Sequence, residues 1–159
     1  MINIVQAESV EQTDGARQLF REYEQWLGLD LCFQGFEEEL RWLPDRYSPP
    51  DGRLFLASGN EKLAGCIALR KLEKGICEMK RLYLREDFRG LGLGNKMIET
   101  LIGEALAIGY SKMRLGTYPP KMGKAVKLYE SHGFTAISPY YENPYDGVLF
   151  MELDLIHNI

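Results

Sequence analysis

Apolar side chains at Ala16, Leu19, Phe20, Tyr23, Trp26 and Leu27 recur every three to four positions, which predicts an amphipathic helix. Ser9 and Gln12 precede it with capping-box spacing, and Gly28 is its expected stop. Phe36, Leu40 and Leu43 mark a shorter second helix that Pro44 ends. The two tryptophans, Trp26 and Trp42, are expected in the core or a pocket wall. The pattern is strand-like at Ile2–Gln6 and again over Arg53–Ser58, Lys62–Leu72 and Ile76–Leu84. Turns at Gly59-Asn60 and Lys74-Gly75 join the last three into an antiparallel meander. A helical stripe follows at Met97, Ile98, Leu101, Ile102, Ala105 and Leu106, with Gly109 just past its end. Lys112–Thr117 reads as a strand, and Ala125, Val126, Leu128 and Tyr129 lie on a last helix ended by Gly133. Phe134–Ile137 and Val148–Leu155 close the pattern around a turn at Asn143–Gly147. With no repeat or linker, residues 1–159 read as one mixed α/β domain.

Composition narrows the classes of function. The chain has 159 residues, 45% apolar and 26% charged, which excludes disorder and suits one sizeable core. A net charge of −4 argues against nucleic-acid binding through overall charge. No apolar run approaches the roughly 20 residues of a membrane helix, and MINIVQAESVEQ lacks the layout of a secretion signal. Cys32, Cys66 and Cys77 show neither disulfide nor zinc spacing, so no metal and a reducing cytoplasm are expected. The two strand cysteines, Cys66 and Cys77, suit small core positions rather than nucleophiles. The charge is segregated. Residues 1–69 carry −6, residues 70–127 carry +7 and residues 128–159 carry −5. A cationic middle in an acidic chain points to a local anion site.

That middle segment contains Arg89-Gly-Leu-Gly-Leu-Gly94 between a strand and a helix. Glycines there let backbone N–H groups turn toward a ligand, and the helix start adds free donors and a positive dipole end. The Walker A loop of nucleoside-triphosphate-binding proteins fails, because Asn95 and Met97 stand at required positions. The dinucleotide fingerprint fails on spacing and on the antiparallel strand before it.

The spacing Arg89, Gly92, Gly94 fits R-x-x-G-x-G, and here the chain resembles the GNAT superfamily of N-acetyltransferases. Cys77-Glu-Met-Lys-Arg-Leu-Tyr-Leu84 resembles the strand that family places before its motif. Ala125, Leu128-Tyr-Glu-Ser131 and Gly133-Phe134 match the later A-x-x-L-Y-x-x-x-G-F pattern. The resemblance implies a mostly antiparallel twisted sheet of about seven strands flanked by about four helices. It also implies acetyl-CoA as acyl donor, held by Arg89, Gly90, Leu91, Gly92, Leu93, Gly94, Asn95 and Lys96, with Lys96 or Lys124 near other phosphates. Leu82, Tyr83 and Leu84 would pair with the pantetheine arm, the Leu82 N–H serving the developing oxyanion. One departure stands out: Thr117 and Tyr118 occupy the place where many relatives have asparagine.

Acyl transfer to an amine requires a neutral amine, and a lysine-like amine with pKa about 10.4 is almost wholly protonated at pH 7. Glu78, on the strand leading to the loop, is the candidate base; the plain alternative is an ion pair with Arg70 or Lys80. Tyr129 is the candidate acid for the leaving thiolate; the alternative is a core aromatic with a satisfied hydroxyl. His132 beside Gly133 suits helix capping. Tyr140, Tyr141, Asn143 and Tyr145 would wall the acceptor pocket, or else pack in a turn or a homodimer contact. The acidic flanks point toward a cationic acceptor such as a polyamine, an aminoglycoside or a lysine side chain. The competing class is a non-catalytic acyl-CoA-binding module, which would share the loop without needing Glu78 or Tyr129.

Overall fold

The computed structural model describes residues 2–31 and 35–157; Cys32 lies outside them. In chain order the elements are β1 (Ile2–Gln6), α1 (Val10–Leu27), α2 (Phe36–Arg41), β2 (Arg53–Gly59), β3 (Lys62–Glu73) and β4 (Ile76–Leu84). They continue with α3 (Leu93–Ile108), β5 (Lys112–Thr117), α4 (Pro119–Ser131), β6 (Thr135–Ile137) and β7 (Leu149–Asp154). The strands form one sheet in the order β1-β2-β3-β4-β5-β7-β6. Every neighbouring pair is antiparallel except β4 and β5.

Helices cover both faces, which is why β3 is apolar without alternation from Ala64 to Leu69. Ile67, Leu69, Cys77, Met79 and Met113 pack with Met97, Ile98 and Leu101 of α3. Leu54, Cys66 and Ala68 pack with Leu19 and Phe20 of α1 and with Phe36 and Leu40 of α2. The Ser9 capping box forms as expected: the Ser9 hydroxyl accepts from the Gln12 N–H, and Gln12 accepts from the Ser9 N–H.

Two expectations change. α2 stops at Arg41, ahead of Pro44, so Trp42 caps its C-terminus and is 60% exposed rather than in the core. α4 begins six residues before its apolar stripe, at Pro119, where a proline's fixed φ and missing N–H suit a first helical position.

The central irregularity lies between β4 and β5. They pair only over Ile76–Glu78 and Lys112–Arg114, after which β4 continues along β3 and β5 along β7. Within β4, Arg81 and Leu82 together oppose the single residue Ile67, a bulge with Arg81 in the left-handed region at φ 63. Such a conformation is uncommon without glycine. Here it is held by a buried pair, Arg81 Nε and Nη2 donating to Glu39 Oε2 and Oε1 at 3.0 and 2.9 Å. The Arg81 guanidinium also lies 5.2 Å from the centre of the Phe36 ring. The bulge lies just beyond the point where β4 and β5 stop pairing, and a cleft occupies the gap between the two strands.

Candidate active site

Met79 to Leu82 line the cleft from β4, Leu115 to Thr117 from β5, and Glu78 sits where the two strands part. Tyr23, Leu27, Leu29 and Leu31 close it on the α1 side, Tyr118, Met122 and Tyr129 on the α4 side, and Tyr141, Asn143 and Tyr145 from the β6–β7 loop.

Beyond Leu82, β4 ends at Leu84 and the chain runs on into the glycine loop. Gly90 and Gly92 have φ values of 78 and 79, which only glycine adopts freely, and a Cβ at either would meet nothing within 4 Å. Gly92 is the N-cap of α3 and offers no side-chain cap, and the first turn holds no acid. The N–H groups of Leu93, Gly94 and Asn95 are therefore left without helical acceptors, with the helix dipole behind them and Lys96 exposed beside them. Gly94 is constrained differently, since its Cβ would stand 3.3 Å from Leu128 of α4. Leu91 is exposed at the loop's tip.

Arg89 does not project freely. Its Nε donates to the Leu84 carbonyl at 2.8 Å, and its guanidinium lies over Trp26 and Tyr83, 5.1 and 5.8 Å from the ring centres. Trp26 also has the Lys121 ammonium 5.6 Å from its ring centre, so cations from the loop and from α4 both approach one indole. Tyr83 turns its side chain toward α1, leaving only its backbone on the cleft side. Asn95 is held by His132, Oδ1 to Nε2 at 2.6 Å, which ties the start of α3 to the C-cap of α4.

Glu78 is 3% exposed and both carboxylate oxygens are engaged. Oε1 accepts from Arg70 Nε at 2.7 Å, and Oε2 accepts from the Tyr140 hydroxyl at 2.6 Å. The ion-pair alternative with Arg70 is thus realised, and each oxygen retains a second lone pair for an incoming proton. Burial and the neighbouring Glu78 carboxylate hold the Tyr140 hydroxyl well above the ordinary phenol value, so it remains a donor. Lys80, on the same face as Glu78, is half-buried, and burial with the adjacent Arg81 charge pushes its ammonium down to about 7.

Across the cleft, Tyr129 is 5% exposed and packs against Phe134. Burial raises its hydroxyl above the ordinary phenol value, with Tyr23 adding to the shift. Thr117 is 2% exposed, and its hydroxyl has no hydrogen-bond partner among the described residues. An orphaned buried hydroxyl is costly unless something bonds to it. The two cysteine thiols are buried, and burial pushes that of Cys77 up to about 12 and Cys66 higher still, so neither is poised as a nucleophile.

The acceptor side is stitched together across the chain. The Tyr145 hydroxyl accepts from the Asp30 N–H at 2.8 Å and donates to the Asp30 carbonyl at 3.0 Å, tying the β6–β7 loop to the α1–α2 connection. A Cβ at Gly116 would stand 2.9 Å from the Tyr141 hydroxyl, so that ring would have to shift to admit one. The aromatic cluster had marked this loop in the sequence. The Arg81 bulge, the Glu39 pair and the Asp30 tether had left no local signal there.

Compared with known proteins, residues 14–134 match the acetyltransferase (GNAT) family profile. An uncharacterized N-acetyltransferase of Schizosaccharomyces pombe is 38% identical over 97% of this chain and 95% of its own. An IAA acetyltransferase of Azospirillum brasilense is 31% identical over 98% and 100%. A GNAT-family acetyltransferase structure from Staphylococcus aureus superposes with a TM-score of 0.80 at 20% identity, covering 98% of this chain and 99% of that one. A Salmonella typhimurium acetyltransferase solved with acetyl-CoA gives 0.71 at 18%, covering 98% and 95%.

Proposed function

The chain belongs to the acetyltransferase (GNAT) family and is an acetyl-CoA-dependent N-acetyltransferase, and we propose that it acetylates a primary amine by direct attack in a ternary complex. The observation that carries this reading is the parting of β4 and β5, with an uncapped helix N-terminus at one end and Glu78 and Tyr129 on its walls. Acetyl-CoA supplies an acyl carbon activated as a thioester.

The residues present fit that donor. The N–H groups of the Leu91–Asn95 loop, with Lys96 and with Arg89 released from Trp26, would hold the pyrophosphate, and Lys124 would face other phosphates. Backbone groups of Leu82 and Leu84 would pair with the pantetheine arm, and the buried Thr117 hydroxyl would find in an amide the partner it lacks. The Leu82 N–H would meet negative charge developing on the carbonyl oxygen.

On the acceptor face, Glu78 takes a proton from the amine directly or through one water, while Arg70 and Tyr140 fix its carboxylate. Tyr129 delivers a proton to the departing thiolate. Burial keeps its hydroxyl protonated, and transfer to a sulfur of pKa about 8.5 requires a donor that is still protonated at working pH. Thiol release from acetyl-CoA over a panel of amines tests the reading. Amine-dependent release supports it, whereas acetyl-CoA binding without release for any amine would favour the sensing module.

A further inference from the structure

The acceptor face of the cleft is charged in a way the acidic flanks of the sequence conceal. Its lining holds one carboxylate, Glu78, and two cations, Lys80 and Arg81. Directly behind them stand Arg70, paired with Glu78, and Glu39, paired with Arg81. With Lys80 protonated, three cations face two carboxylates, and the wall has a formal charge of +1. The acids near the rim (Asp30, Glu142 and Asp146) are exposed, where water and salt screen them. Charges on the buried wall are screened far less.

The order of those charges is also informative. Glu78 and Lys80 are two residues apart on a regular stretch of β4, opposite Arg70 and Ala68. Their side chains leave the same face about 7 Å apart, a carboxylate followed by an ammonium. A ligand with an amino group and a carboxylate on neighbouring carbons matches that sequence in reverse. A polyamine would add like charge beside Lys80 and Arg81 in a poorly hydrated site, which is expensive without compensating carboxylates. Leu27, Leu29 and Leu31 give the same cleft an apolar wall that an apolar side chain on the ligand would meet.

On the acetyltransferase reading above, we propose that the acceptor is a free amino acid or a similar small aminocarboxylate, its amine toward Glu78 and its carboxylate toward Lys80. A charge-assisted hydrogen bond to Lys80 then supplies selectivity for the acid over its amide.

The test is a thiol-release assay with acetyl-CoA over matched acceptors: amino acids, their carboxamides, the corresponding decarboxylated amines, and spermidine. The expected result is a kcat/KM at least 10-fold higher for one or more acids than for the amide and amine of the same side chain, with spermidine among the poorest. Lys80→Met, of similar length and uncharged, should bring the acid-to-amide ratio near one. If Lys80→Met fails to fold, the matched pairs on the wild-type protein still decide. Turnover of amides, amines or spermidine as well as or better than acids overturns the aminocarboxylate proposal while leaving the acetyltransferase reading intact. Absence of turnover for every amine, with acetyl-CoA still binding by calorimetry, overturns both.

Discussion

The two ends of the cleft are built by different means. At the glycine loop, the proposed recognition uses backbone N–H groups, left-handed glycines and one helix terminus, all within residues 89–96. On the acceptor side it falls to side chains brought from distant segments: Tyr140 reaches Glu78 across 62 positions, Tyr145 reaches Asp30 across 115, and Arg81 reaches Glu39 across 42. Backbone chemistry requires particular residues at fixed local spacing, so it leaves a motif. Side-chain chemistry assembled by topology leaves only scattered residues, which is why relatives can share a donor and differ in acceptor.

That contrast can be broken first at the junction of the two regions. Tyr129→Phe removes one hydroxyl and almost no packing, so kcat should fall by about 10²–10⁴-fold if Tyr129 supplies the proton. Stability should change by no more than about 0.5–1.5 kcal/mol. Unchanged turnover would make Tyr129 part of the core alone.

Glu78 sharpens the acceptor side. Glu78→Gln keeps the shape but accepts no proton, so kcat/KM should drop by about 10²-fold near pH 7 and recover toward wild type near pH 10, where solution supplies neutral amine. Acetyl-CoA affinity should not change. A loss equal at every pH would assign Glu78 to the Arg70 pair alone.

Glu39 tests how far the bulge depends on its buried partner. Burial opposes its charge, but the Arg81 hydrogen bonds and positive charge prevail and hold its carboxyl below the ordinary value. A depressed carboxylate contributes stability above its unfolded pKa of about 4.3 that is lost as pH falls through the folded value. Glu39→Gln should therefore cost about 3–5 kcal/mol at neutral pH, measured by denaturant unfolding. The gap to wild type should narrow below about pH 4. A constant gap across that range would mean that packing, not charge, is what the substitution removes.

A smaller effect is expected at the loop tether. Tyr145→Phe removes both hydrogen bonds to Asp30, so the acceptor KM should rise by a few-fold, about what 1 kcal/mol represents, with kcat little altered. Calorimetry should find donor affinity unaffected.

The same division explains what could be read from the sequence. β4 and β5 have the expected bounds, and the Ser9 capping box forms, because period and capping are local properties. Residues 14–134 match the family that the Arg89–Gly94 motif suggested. The bulge was not legible, because Arg81 lies in an unbroken strand pattern and its left-handed φ depends on Glu39, far away on α2. Trp42 was misplaced because periodicity carries past a helix end that Pro44 shifts upstream. A charge count also ignores placement: among the acids of the flanks Glu39 is buried against Arg81, and Lys80 and Arg81 line the cleft.

The central claim is that the start of α3 holds acetyl-CoA, and calorimetric titration of Gly92→Asn beside wild type tests it most directly. Asparagine tolerates the left-handed backbone better than a β-branched residue, and nothing among the described residues obstructs its Cβ. The fold should therefore survive while the side chain intrudes on the anion site. The predicted result is tight binding by wild type and at least a 10-fold weaker affinity in the folded variant. Equal affinity in the two proteins would contradict the account.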